Sequence, residues 1–143
     1  MVEIKIVTKN GNVPSYETHG AAGMDIRADI AEPICLKPGQ RALIDTGLFM
    51  EIPKGYEAQI RARSGLAIKH GITLINGIGT IDSDFRGQVK VPLVNLGQEE
   101  FTINNGDRIA QMVVAKYSVC QWQVVDQLSE TERGEGGFGH TGV

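Results

Sequence analysis

Short runs rich in β-branched and other apolar residues, each closed by a tight-turn signal, repeat along most of this chain and leave little room for long helices. The runs are Glu3–Thr8, Gln40–Leu48, Tyr56–Arg63, Ile72–Ile75, Gln88–Asn95 and Arg108–Tyr117. Between them lie Lys37–Gln40, Pro53–Tyr56, Asn95–Gln98 and Asn104–Asp107, which carry the proline, glycine or asparagine that such turns require. One stretch suits a helix: Ser64 can cap Gly65–His70 and Gly71 can stop it. The pattern predicts an all-β sandwich, jelly roll or barrel with one short helix.

At 143 residues the chain fits one domain, able to bury roughly 68–70% of its unfolded surface. A net charge of −3 without any block of like charge argues against a nucleic-acid polymer or a polybasic membrane anchor as partner. The start, Met1–Ile6, alternates apolar and charged residues, and no apolar run reaches the length of a signal segment or membrane span, so the expected location is the cytoplasm. Cys35 and Cys120 are far apart and His19, His70 and His140 are scattered, which gives no zinc-ligand spacing. Both cysteines are expected to be buried as small apolar residues.

Four patches and the C-terminus do not read as plain strand or turn. Arg63, Ser64 and Gly65 stand where a strand gives way to the helical turn, so a guanidinium, a hydroxyl and free backbone N–H groups can converge on a phosphate; an ordinary helix cap with a surface arginine is the alternative. Gln111, beyond the Gly106–Arg108 turn, can donate to a phosphate oxygen or cross-link strands. Asp25, after Ala21–Met24, offers a hard oxygen suited to Mg²⁺, directly or through water, or else forms an Asx-turn.

Asn76–Gly87 is the richest segment. Gly77, Gly79 and Gly87 permit close approach of backbone, and Asp82 and Asp84 are expected on one face of an extended stretch. Backbone groups of such a hairpin can read the edge of a flat pyrimidine, Asp82 can deprotonate a water, and Phe85 can lie against a sugar and exclude a 2′-hydroxyl. A turn in which the aspartates bond their own backbone is the alternative. The last residues, Arg133–Val143, hold five glycines, one aromatic and one cation, too little apolar surface to offset about 1–2 kcal/mol of ordering per residue. Such a tail orders on something else, with its N–H groups and guanidinium for an anion and its ring for a flat partner.

Taken together, Ala21–Asp25, Arg63–Ala67, Gly79–Gly87, Gly106–Gln111 and Arg133–Gly142 resemble the five ordered motifs of the trimeric dUTPases, across nearly the whole chain. The resemblance implies a distorted jelly roll, or β-clip, over residues 1–132, with 133–143 as a flexible lid. It implies a homotrimer with shared sites, dUTP as substrate, and Mg²⁺-dependent hydrolysis to dUMP and pyrophosphate. One subunit would supply the first, second and fourth motifs, a neighbour the hairpin, and the third subunit its tail.

By position, Asp82 matches the family's base. Asn76 and the hairpin backbone at Gly79, Thr80 and Ile81 match the uracil site, and Phe85 the aromatic beneath deoxyribose. Arg63, Ser64, Gly65 and Gln111 match phosphate contacts, with Lys90 assigned to the substrate as well. Asp25 matches the acid beside the metal. Arg133, Phe138, Gly139 and Thr141 match the tail's grip on phosphate and base. Two positions depart from the family: Phe85 stands where tyrosine is usual, and His140 where serine is usual. A dCTP deaminase, similar in fold, is disfavoured because Pro92 stands where that family carries a glutamate. A nucleotide-sensing protein without catalysis is disfavoured by the full set of reactive side chains.

Overall fold

The computed structural model describes residues 1–139 and Gly142. Ten strands and one helix follow in order: β1 (Lys5–Thr8), β2 (Met24–Arg27), β3 (Ile34–Leu36), β4 (Arg41–Glu51), β5 (Tyr56–Arg61), α1 (Ser64–His70), β6 (Ile72–Leu74), β7 (Gly79–Ile81), β8 (Val89–Asn95), β9 (Phe101–Ile103) and β10 (Arg108–Lys116). They form two four-stranded sheets, ordered β1-β4-β8-β6 and β2-β10-β5-β7, and a two-stranded ribbon of β3 with β9. All pairings are antiparallel. The fold is all-β, a distorted jelly roll with one short helix.

Period-two alternation decides which residues enter the core. On β4, Ile44, Leu48 and Met50 point inward; on β8, Val89, Val91 and Leu93 do; and on the second sheet Ile26, Ala58, Ile60, Ala110 and Met112 meet them in one cluster that also takes Leu36 and Ile103. Each buried aliphatic side chain contributes about 1.5–3 kcal/mol relative to exposure. A bulge interrupts the β4–β8 register between Asp45 and Leu48, where Gly47 has φ 68° and a Cβ would meet Asp29 Oδ2 at 2.3 Å. Only glycine suits that place.

Helix α1 is pinned at its end. Gly71 takes the left-handed conformation, φ 68°, and its N–H returns to Ala67. Its Cα packs on the β8–β9 loop so closely that a Cβ would lie 2.3 Å from the Gly97 nitrogen, and Leu96 donates to the Gly71 carbonyl. Below this junction Asn95 is fully buried and fully bonded: Nδ2 donates to the carbonyls of Leu36 and Glu99, and Oδ1 accepts from the Gly97 N–H, each at 2.8 Å. The β3 ribbon, β8 and the loop that holds α1 are thereby tied together.

The six strands expected from sequence are present, and Gly71 stops the helix as expected. Two details differ. The helix begins at Ser64 with Arg63 as its N-cap, in extended conformation, so the Ser64 hydroxyl is not a capping group. Cys35 and Cys120 are both exposed. Cys35 is the outward residue of three-residue β3, and Cys120 lies beyond the last strand, so neither has a core to enter. The chain after Lys116 has no strand or helix among its described residues, and Val119, Trp122, Val124 and Leu128 are exposed there.

Candidate active site

The β2-β10-β5-β7 sheet presents Asp25 and Gln111 on the face away from the core, because the alternate positions Ile26, Ala110 and Met112 point inward. Asp25 of β2 lies opposite Gln111 of β10, which lies opposite Arg61 of β5. The β5 chain then runs on to Arg63 and the first turn of α1. This brings three sequence patches together. Arg63 Nε stands 3.4 Å from Asp25 Oδ1, Arg108 donates to Asp25 Oδ2 at 3.2 Å, and Arg63 donates to the Arg108 carbonyl at 2.8 Å. The Gln111 side chain lies against Gly23, where a Cβ would come 3.2 Å from Oε1. Ser64 and Gly65 are exposed beside this cluster, and the space over Gly65 is open. The first N–H groups of α1 have no partner within the helix.

Asp25 belongs to a strand rather than an Asx-turn, and its side chain is only 13% exposed. Two guanidiniums share it. Sequence reasoning passed over Arg108, whose only signal was a cation at the point where the Gly106 turn enters a strand.

At the other end of the same sheet lies the hairpin. Gly77 has φ 75°, and the turn between β6 and β7 carries the Asn76 amide across to Gly79, where a Cβ would meet Nδ2 at 3.6 Å. On β7, Gly79, Thr80 and Ile81 pair with Ile60, Gln59 and Ala58. The strand ends at Ile81. Asp82–Phe85 is a turn closed by the Phe85 N–H on the Asp82 carbonyl at 3.2 Å, so Asp82 and Asp84 do not share a face of an extended stretch. The Asp-Ser-Asp run at 82–84 favours the turn over a continued strand. Asp82, Ser83, Asp84, Glu57 and Tyr117 line one open depression of about 380 Å³. The Phe85 ring lies across Gly87, where a Cβ would come 2.6 Å from Cζ, and 42% of the residue remains exposed.

The two groups do not meet within one chain. Asp82 follows the residue paired with Ala58 and so lies at Glu57, whereas Asp25 and Gln111 lie at Arg61. Glu57 and Arg61 are four residues apart on β5, about 13 Å of strand. Lys90 is remote from both, on the other sheet and paired with Asp45 at 2.9 Å. In the tail, Arg133 closes a local loop onto the Gly136 carbonyl at 2.8 Å, and Phe138, at φ 44°, is fully exposed. Thr141 and His140 lie outside the described residues.

Residues 9–142 match the family model described as dUTPase. The chain belongs to the dUTPase family. It is 56% identical over 142 residues to the deoxyuridine 5′-triphosphate nucleotidohydrolase of Finegoldia magna, covering 99% of both chains. The protein of the same name from Treponema denticola is 59% identical over 131 residues, covering 92% of this chain and 91% of that one. Among solved structures, the dUTPase of Staphylococcus bacteriophage 80alpha with dUPNHPP superposes with a TM-score of 0.88 at 27% identity, covering 100% of this chain and 99% of that one. This family membership agrees with the five motifs and with the jelly-roll topology.

The motif resemblance implies a divalent cation, and the donor set here is sparse. No group of three metal-ligating side chains occurs among the described residues. Asp25 is a single carboxylate already facing two arginines. With both oxygens turned to guanidiniums, Asp25 fits Mg²⁺ through water and together with substrate phosphates, and not as part of a cage built from protein alone. Among the described residues no helix is long and apolar enough to cross a membrane.

Proposed function

We propose that this chain hydrolyses dUTP to dUMP and pyrophosphate at sites shared between the protomers of a homotrimer. The observation that carries the shared site is the separation along β5. The Asp25–Arg63–Gln111 cluster and the Asp82 hairpin lie at opposite ends of one strand, which supports a site in which the hairpin of one copy meets the phosphate cluster of another.

In this reading Arg63, Ser64, the Gly65 N–H and Gln111 grip the phosphates, with charge-assisted bonds from the guanidinium. Asn76 and the backbone of Gly79, Thr80 and Ile81 read the uracil edge, and the Phe85 ring supports deoxyribose while barring a 2′-hydroxyl. Asp82 takes a proton from the water that attacks the α-phosphorus in line. Arg133, Phe138, Gly139 and Thr141 of the third chain close over the nucleotide as a lid comprising residues 133–143, and residues 1–132 form the folded body. Lys90 is assigned to the substrate on the family pattern, and its present partner is Asp45. Asp25 is the residue that would hold Mg²⁺, which when bound neutralises charge on the phosphate oxygens. A cytoplasmic location fits a soluble nucleotide as substrate.

Positioning and electrostatics provide most of the acceleration in such a reaction, and the base adds about 10²–10⁴-fold. Asp82→Asn is therefore expected to bind dUTP and release pyrophosphate about 10²–10⁴ times more slowly. A panel of dUTP, dCTP and dTTP, assayed for pyrophosphate with and without EDTA, tests the substrate. Full turnover by the variant removes Asp82 from the role of base, and equal turnover of dCTP and dTTP removes the uracil slot.

A further inference from the structure

The Arg63 guanidinium has two holdfasts in the free chain: Nε faces Asp25 and one terminal nitrogen donates to the Arg108 carbonyl. Arg108 occupies the far side of the same carboxylate, donating to Oδ2 while Arg63 faces Oδ1. A carboxylate with a single arginine partner forms a neutral pair that competes with an incoming phosphate for that arginine. Two guanidiniums on one carboxylate leave an excess positive charge. We propose that Arg108 is a positioning residue for the phosphate site: it satisfies Asp25 from behind, and so leaves Arg63 oriented but electrostatically available to the substrate's phosphates. Its backbone assists, since the carbonyl that holds Arg63 and the side chain that holds Asp25 belong to the same residue.

The Arg108 side chain is 44% exposed, yet the fold fixes its position. It begins β10 directly after the Gly106 turn, opposite Arg27 of β2, and Arg27 donates to the Gly106 carbonyl at 2.9 Å. The register slips between Arg108 and Ala110. That irregularity changes which way side chains project at the start of the strand, and Arg108 projects to Asp25. Arg63, for its part, comes from the N-cap of α1, whose other end is fixed by the Gly71–Gly97 contact. Three separately anchored backbones thus converge on one carboxylate.

The inference rests on the phosphate role proposed for Arg63, and calorimetry on the purified full-length protein separates the two. The ligands are the imido analogue dUPNHPP and, as control, deoxyuridine, each measured with Mg²⁺ and with EDTA. Arg108→Gln is expected to weaken dUPNHPP by about tenfold or more, the scale of a charged hydrogen bond, while deoxyuridine changes little. Arg108→Lys should recover part of the loss, because it restores the charge without the fork. In EDTA, Asp25→Asn combined with Arg108→Gln should bind dUPNHPP better than Arg108→Gln alone, since no carboxylate then competes for Arg63. Equal weakening of deoxyuridine and dUPNHPP, or no gain in the double variant, overturns the proposal. If Arg63→Gln binds dUPNHPP as tightly as the unaltered protein, the phosphate reading of Arg63 fails instead.

Discussion

Arg63 Nε and Asp25 Oδ1 face each other at 3.4 Å, joining the N-cap of α1 to the middle of β2. The pair marks the phosphate end of the sheet, and Asp82 lies at the other end of β5. If the site is completed by a second copy, two separately dead variants should repair each other. Arg63→Ala and Asp82→Asn, unfolded and refolded together in equal amounts, are expected to recover about a quarter of the unaltered activity, because about a quarter of sites then draw an intact half from each of two chains. Mixtures no more active than their parents would show that each chain builds its own site.

Phe85 rests on the one residue without a side chain that could push it aside. Gly87→Ala places a Cβ where 2.6 Å separates it from the ring. The ring must leave, and the discrimination against UTP should fall by about tenfold, the effect of one methylene-sized misfit in a pocket. The ratio of kcat/KM for dUTP and UTP measures this. An unchanged ratio would detach Phe85 from sugar selection.

The described residues of the tail have no packing to lose. Phe138 is fully exposed, and the hydrogen bonds of Arg133 and Gly134 stay within their own turn. Ending the chain after Glu132 is expected to lower kcat/KM for dUTP by at least about 100-fold while moving Tm by less than about 2 °C. A truncated protein that turns over dUTP normally would rule out the lid.

Asn95 makes the opposite case, a polar group whose value is structural. Asn95→Ala leaves the buried Leu36 carbonyl and the part-buried Glu99 carbonyl and Gly97 N–H without their side-chain partner and should cost about 2–4 kcal/mol. Urea unfolding at fixed protein concentration, with the slope unchanged, gives the figure directly. A cost below about 1 kcal/mol would mean that the loop finds other partners.

Long alternating runs made most of this architecture legible in advance. The strands that escaped notice, β2, β3, β7 and β9, have only three or four residues each, too few for a period-two pattern to emerge. Two of them also lie within the Gly-rich motifs, so Asp25 was assigned a chemistry but not a strand. Asp82 and Asp84 misled for a local reason: alternation places them on one face only if β7 continues, and it stops at Ile81. The cysteines misled because average burial says nothing about a three-residue ribbon or a strandless terminus. Arg108 was invisible for another reason. Its partner, Asp25, is distant in sequence, and no local pattern reports a pairing made by the sheet.

The span of β5 between Glu57 and Arg61 also bears on how the activity responds to dilution. Where chemistry and anion grip reside on different copies, a lone folded chain is silent however intact its core. Specific activity should then hold level at high protein concentration and collapse steeply below the assembly midpoint, making abundance itself a control on nucleotide clearance.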